Sequence, residues 1–112
     1  MRLFTPSEAN ATLPLVRHIV TDILETGQRI RSAGKAQQGD MEALAELFQE
    51  LETVGCSYRD WSFEIGLVDF PAKIDGEVVL LCWRSDEPKV SHYHGVNAGY
   101  AGRKTIPDSL LQ

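Results

Sequence analysis

The sequence predicts an α+β fold in which an N-terminal antiparallel helical hairpin packs on a small antiparallel β-sheet of about three strands. Apolar residues recur at spacings of three and four through residues 6–55, which is typical of amphipathic helices. From Cys56 onward the period changes to two, as in half-buried strands, over residues 56–112. A chain of 112 residues, of which 43% are hydrophobic, can bury one modest core. We therefore expect a single domain over residues 1–112.

The start signal of the first helix lies at Thr5, Pro6 and Glu8. These residues supply an N-cap hydroxyl, a proline for the first turn and the carboxylate of a capping box, so the helix is predicted to begin at Pro6. Its apolar stripe continues to about Ala33. Pro14 lies inside this helix and has no N–H to donate, which predicts a kink or a break into a short and a long segment.

A second helix is predicted after a polar loop. Gly34 can end the first helix, Asp40 can cap the second, and Gly55 is placed to stop it. Since a short loop joins the two helices, they should form an antiparallel hairpin.

The strongest structural signal is the pair Asp75-Gly76, which lies between two apolar runs, Leu67–Ile74 and Glu77–Arg84. Such a pair favours a two-residue type I′ turn and therefore a β-hairpin. In that register one face of the hairpin is wholly apolar and should cover the helices; it carries Val68, Phe70, Ala72, Ile74, Val79, Leu81 and Trp83.

The opposite face of this hairpin is more polar. The same register places Asp69 opposite Cys82 and diagonally next to Arg84, within reach of a long side chain. A third strand is predicted over residues 90–94, on the other side of Glu77–Arg84. We expect any functional site to lie on this face, around Asp69 and Arg84.

A series of short motifs runs through the chain in this order: Phe4-Thr5-Pro6-Ser7-Glu8-Ala9-Asn10, Leu13-Pro14-Leu15-Val16-Arg17, Gly66-Leu67-Val68-Asp69-Phe70-Pro71-Ala72, Leu81-Cys82-Trp83-Arg84, Glu87-Pro88, Tyr93-His94 and Gly99-Tyr100-Ala101-Gly102-Arg103. In this series the chain resembles the bacterial domain of unknown function 2203 family over nearly its whole length. That family has no established activity, so the resemblance implies neither a reaction nor a substrate. It implies a candidate ligand-binding set: Asp69, Arg84, Glu87, His94 and Arg103.

A metal site is the sharpest chemical hypothesis. His92 and His94 lie two apart on the predicted third strand and point to one face; with Asp69 they would offer a common ligand set for zinc or iron. Their position depends on the register of that strand. A loop of four residues places them on the apolar face, and a loop one residue different places them beside Asp69 and Cys82. The alternative is that both histidines are structural or lie at the surface.

Asp69 and Arg84 have two interpretations as well. They could orient a carboxylate or phosphate ligand or act in acid–base chemistry, or they could form a cross-strand ion pair. Cys82 is expected to be a core residue and a poor nucleophile, since a neighbouring carboxylate disfavours its thiolate. The sequence identifies no catalytic residue and leaves open whether the protein is an enzyme.

A glycine-rich segment near the C-terminus also has two interpretations. Gly99, Gly102 and Arg103, with Lys104, could cradle an anion, or the glycines could serve a turn that requires positive φ angles.

Composition disfavours several classes of function. The formal charge is −5, and no stripe of Lys and Arg could neutralise a run of phosphates, so we expect no nucleic-acid partner. No signal peptide and no stretch of ~20 apolar residues is present, so we expect a cytoplasmic protein without a membrane partner. In that reducing compartment Cys56 and Cys82 should both be free.

The first helix suggests a partner, because its apolar stripe is wider than one short helix covers. We expect a homodimer, with Val20, Ile23 and Ile30 in its interface and the two hairpins forming a four-helix bundle. Two functions therefore remain open. One is a small-ligand or metal-binding domain with an unknown ligand, and the other is a non-catalytic interaction or assembly module that uses the helical hairpin.

Overall fold

The computed structural model describes residues 2–35 and 37–111. Two helices come first in the chain, α1 (Pro6–Ala33) and α2 (Gln38–Val54). Five strands follow: β1 (Ser57–Tyr58), β2 (Leu67–Ile74), β3 (Glu77–Arg84), β4 (His92–Gly95) and β5 (Lys104–Thr105). They form one antiparallel sheet in the order β1-β2-β3-β4-β5, with both helices packed on it.

The predicted α+β class is therefore confirmed, but the predicted number of about three strands is wrong. The two additional strands, β1 and β5, are each two residues long. A segment of that length cannot show an alternation of apolar and polar residues, and its pairing depends on where the rest of the chain places it.

Helix α1 begins as its capping box predicts. The Thr5 hydroxyl accepts a hydrogen bond from the Glu8 N–H at 3.0 Å, and the Thr5 N–H donates to the Glu8 carboxylate at 2.8 Å. That hydrogen bonding lowers the pKa of Glu8 below its usual value. The helix ends at Gly34, whose φ of 73° is the left-handed conformation expected of a C-cap.

The predicted break at Pro14 is wrong, since α1 is one continuous helix through this position. Pro14 is exposed, while its neighbours Leu13 and Val16 are buried in the core. Packing on the buried side therefore favours a continuous helix through Pro14. Asn10, one turn earlier, exchanges hydrogen bonds with the backbone of Val90 and ties the helix to the segment before β4.

Helix α2 does not use the predicted cap. It begins at Gln38 after Gln37, which makes no side-chain capping bond, and Asp40 lies inside the first turn. There Asp40 accepts a hydrogen bond from Arg29 of α1 at 3.1 Å. Gly55, with a φ of 111°, ends the helix as predicted. The helices contact each other, but their arrangement as an antiparallel hairpin stays a prediction.

The β2–β3 hairpin has the register that its turn predicts. Asp75 and Gly76 have φ values of 51° and 81°, as a type I′ turn requires. Asp69 consequently pairs with Cys82, and the apolar residues of the opposite face are buried against the helices.

Strand β4 resolves the alternatives left open for the two histidines. Cys82 pairs with His92, and Leu80 pairs with His94, so both histidines share the polar face with Asp69. The loop between β3 and β4 thus has the length that brings them beside the site.

The core explains the wide apolar stripe of α1 without a partner chain. Val20 and Ile23 are 1% and 0% exposed, and Ile30 packs on the same core. The predicted interface stripe is thus buried within the chain, and the homodimer stays a prediction. In the described part of the chain no helix is long and apolar enough to cross a membrane. Cys56 and Cys82 are both free and buried, as predicted.

Candidate functional site

A cleft of about 300 Å³ opens on the polar face of the sheet, away from the helices. Three buried side chains of neighbouring strands line it: Asp69 of β2, Cys82 of β3 and His94 of β4. Arg59, just after β1, and Tyr100, in the turn before β5, line it from more exposed positions. The cleft therefore depends on antiparallel pairing between β2, β3 and β4.

The potential metal-ligand atoms of the three buried side chains lie close together. Asp69, Cys82 and His94 each offer one ligand atom, and these atoms all lie within 4.8 Å of one another. Each residue is at most 4% exposed. Within residues 2–35 and 37–111, no other group of three or more His, Cys, Asp or Glu residues is so arranged.

His94 is held so that one of its ring nitrogens faces Asp69. Its Nδ1 lies 2.9 Å from the carbonyl oxygen of Gly95, and its Nε2 lies 3.2 Å from Oδ1 of Asp69. Because a carbonyl oxygen only accepts hydrogen bonds, Nδ1 must carry a proton. A neutral ring then directs the Nε2 lone pair at a carboxylate oxygen. The Asp69–His94 pair consequently needs a cation between its two atoms, either a proton or a metal ion.

The distance between these two atoms fits a hydrogen bond and also fits two ligands of one metal ion. Two ligands that each lie about 2.0 Å from a tetrahedral zinc ion are about 3.3 Å from each other. The observed separation of 3.2 Å between His94 Nε2 and Asp69 Oδ1 matches that value. These two side chains could therefore bind zinc with little rearrangement.

Asp69 is partnered by Arg59 and not by Arg84. Arg59 Nε donates to Oδ2 of Asp69 at 3.1 Å, which leaves Oδ1 facing His94. Arg84 donates two hydrogen bonds to Asp86, at 2.8 and 2.7 Å, and one to the Tyr100 hydroxyl at 2.9 Å. The hydrogen bonds from Arg84 lower the pKa of Asp86. The expected pairing of Asp69 with Arg84 is thus wrong, because an acid two residues away takes the guanidinium.

Cys82 is a protonated thiol at neutral pH. Burial in the sheet, followed by the negative charge of Asp69, raises the pKa of this thiol to about 11. Arg103 acts in the opposite direction, because its guanidinium stabilises the thiolate by charge and hydrogen bonding. The prediction that Cys82 is a poor nucleophile agrees with this environment.

The remaining predicted site residues form a second network next to Cys82. Arg103 binds Oε1 of Glu87 at 2.6 Å and the carbonyl oxygen of Cys82 at 3.0 Å. His92 Nδ1 lies 3.4 Å from Oε2 of Glu87 and 3.0 Å from the Ser91 hydroxyl. In the part of the chain described, His92 therefore lies outside the group of potential ligands, and Cys82 stands in its place.

The glycine-rich segment forms a turn, and anion binding by it stays a prediction. It contains a three-residue 3₁₀ helix, Tyr100–Gly102, and Gly99 before it has a φ of 65°. A Cβ on Gly102 would lie 2.6 Å from the Cβ of Ala98, so the turn also needs a small residue there. This turn carries Tyr100 to the cleft and Arg103 to Glu87.

Sequence reasoning did not assign Cys82, Arg59 or Tyr100 to the site, although all three line the cleft. Cys82 was already placed opposite Asp69 by the hairpin register, but its acidic neighbour favoured a core role. Arg59 follows a strand of two residues, which leaves no pattern to detect. The predicted ligand set of Asp69, His92 and His94 is therefore only partly brought together.

Comparison with known proteins gives a family and no activity. No curated protein and no solved structure matches the chain. The family described as "Uncharacterized conserved protein (DUF2203)" matches residues 31–106, more than half of the chain. Every residue that lines the cleft lies inside this range. The chain therefore belongs to the DUF2203 family.

Proposed function

We propose that this protein binds a divalent transition metal of the zinc or iron class through Asp69, Cys82 and His94. The observation that carries the proposal is the 3.2 Å approach of His94 Nε2 to Asp69 Oδ1 while Gly95 holds the opposite ring nitrogen. A histidine whose second nitrogen donates to a backbone carbonyl is oriented as metal-bound histidines are.

The chemistry of the three donors favours this class of metal. A thiolate and an imidazole suit zinc or iron, whereas magnesium and calcium prefer oxygen ligands alone. Three protein ligands also leave one position of a tetrahedral ion free for water or another molecule. The cleft of about 300 Å³ lies beside these ligands, so this fourth position would be accessible.

A buried nitrogen beside the cluster supports a thiolate at Cys82. Arg103 Nε is buried and has no hydrogen-bond partner among the residues that the structure describes, an arrangement that costs free energy. The positive charge of Arg103 also partly opposes the rise in the pKa of the Cys82 thiol. When a metal displaces the thiol proton, the sulfur gains a negative charge that the nearby guanidinium of Arg103 stabilises.

Cobalt substitution tests the proposal directly. Co²⁺ bound by a thiolate absorbs through sulfur-to-metal charge transfer, so the spectrum reports ligation by cysteine. We expect about one Co²⁺ per chain with this absorption in the wild type, and its loss in Cys82→Ala. Cys56→Ala is the matched control, because Cys56 is the other buried free cysteine and lies in the apolar core.

The outcomes separate a built site from adventitious binding. Retention of the charge-transfer absorption in Cys56→Ala, with competition by Zn²⁺, supports the proposal. Absence of stoichiometric cobalt or zinc in the wild type would refute it. An unchanged spectrum in Cys82→Ala would also refute it, because the sulfur would then come from elsewhere.

A further inference from the structure

We propose that the cleft binds a small organic monocarboxylate with a short apolar body, and that Arg59 holds its carboxylate. This inference rests on the proposed function, since the free position of the metal supplies the second contact of the ligand. It goes further in naming the ligand class and the residue that selects it.

The terminal edge of the Arg59 guanidinium is available to a ligand. Its Nε donates to Asp69, and among the described residues its Nη1 and Nη2 atoms make no hydrogen bond. Its side chain is 54% exposed although it lines the cleft. The pair of terminal nitrogens is the edge of a guanidinium that binds a carboxylate through two parallel hydrogen bonds.

Asp69 shows that one carboxylate can reach both Arg59 and the metal position. Its Oδ2 accepts from Arg59, while its Oδ1 faces His94 across the proposed ion. A ligand carboxylate would bind the terminal edge of Arg59 instead of its Nε, so it would approach the ion from the cleft side.

The charges around the cleft favour one negative charge on the ligand. Arg84 is paired with Asp86, and Arg103 is paired with Glu87. Among the described residues that line the cleft, Arg59 is thus the cation with donors left to offer. In the zinc-loaded site the ion and Arg59 outweigh Asp69 and the Cys82 thiolate by about one positive charge, which a monocarboxylate balances and a dianion such as phosphate exceeds.

The walls of the cleft favour a short apolar body. Leu67, Leu80 and Val96 line it, and Val96 is 54% exposed. Its volume of about 300 Å³ is at the lower end of ligand sites. An aliphatic chain of a few carbons could cover these side chains and remove their apolar surface from water.

The test uses hexanoate as the probe in calorimetric titrations of zinc-loaded and metal-free protein. Hexanol has the same apolar chain without the charge, and inorganic phosphate has charge without the chain. We expect hexanoate to bind zinc-loaded wild type at least about tenfold more tightly than either, and metal-free protein more weakly.

Variants locate the contact. Arg59→Gln, compared with wild type at full zinc loading because Arg59 also contacts Asp69, should weaken hexanoate binding by about tenfold or more. Arg29→Gln is the matched control, because Arg29 is 57% exposed and also pairs with an aspartate at 3.1 Å. Its affinity for hexanoate should equal that of the wild type. Arg59→Lys keeps the charge beside Asp69 and loses the planar fork, so it should also bind hexanoate more weakly.

Several results would overturn the inference. These are no hexanoate binding to zinc-loaded wild type, equal binding of hexanol, tighter binding of phosphate, or unchanged affinity in both Arg59 variants. Zinc binding without hexanoate binding would remove this inference alone. A failed zinc titration would remove the proposed function, and with it the metal contact of the ligand.

Discussion

Metal affinity should depend on pH through Cys82, because its thiol must lose a proton before the sulfur binds a metal. The pKa of this thiol is raised to about 11, mainly by burial and then by Asp69. Below that pH the metal-free site holds the proton, and metal binding releases it. Affinity should therefore rise with pH throughout the neutral range.

The magnitude follows from the distance between the working pH and this pKa. At pH 7 the thiol lies four pH units below a pKa of about 11, and each unit corresponds to about 1.4 kcal/mol. Removing the proton thus opposes binding by about 5 kcal/mol at pH 7. The proton of Cys82 alone should raise affinity about tenfold per pH unit, or about 100-fold between pH 6 and 8.

The assay is competition for zinc against a chromophoric chelator of known pH dependence, at half-unit steps from pH 6 to 8. Cys82→Ala should bind more weakly, and its plot of log affinity against pH should be less steep than that of the wild type by about one. Cys56→Ala should keep the steeper slope. Equal slopes in the wild type and Cys82→Ala would contradict ligation by this sulfur.

The remaining predictions concern stability. Gly27→Ala should destabilise the protein by about 1–2 kcal/mol in urea unfolding, because the added Cβ would lie 2.3 Å from the Phe63 ring. Gly39→Ala, a helical glycine with nothing within 4 Å of the new Cβ, should be neutral or stabilise by up to about 1 kcal/mol; equal effects of the two changes would contradict the packing argument. Arg103→Met should cost about 3 kcal/mol in thermal unfolding, since it leaves the half-buried Glu87 carboxylate without its 2.6 Å partner. Adding Glu87→Gln to it should recover part of that loss, and a purely additive double variant would show that the pair does not couple.

Local chemistry in the sequence was sufficient for the start of α1 and for the central hairpin. The capping box of Thr5 and Glu8 and the turn at Asp75-Gly76 each depend on residues within a few positions of one another. Such signals act directly on the backbone of neighbouring residues, so they do not require contacts from distant parts of the chain. The position of this turn also fixes which residues pair across the two strands. It is therefore sufficient to place Asp69 opposite Cys82.

Other elements were decided by packing. Burial beside Pro14 keeps α1 continuous, and the strands of two residues exist only because longer strands offer them an edge. The stripe at Val20 and Ile23 suggested a partner chain, but the core of the same chain buries it. Hydrophobic periodicity shows that a face is buried and does not identify what buries it.

The sequence by itself determined the polar face of the hairpin, since alternation along a strand follows from backbone geometry alone. Only the tertiary structure decided which side chains meet there. It brought His94 to Asp69, placed Arg59 where Arg84 was expected, and turned His92 towards Glu87. Those contacts depend on the length of a loop, on strand pairing and on competing charges nearby. The hydrophobic periodicity of the sequence contains no information on these three factors.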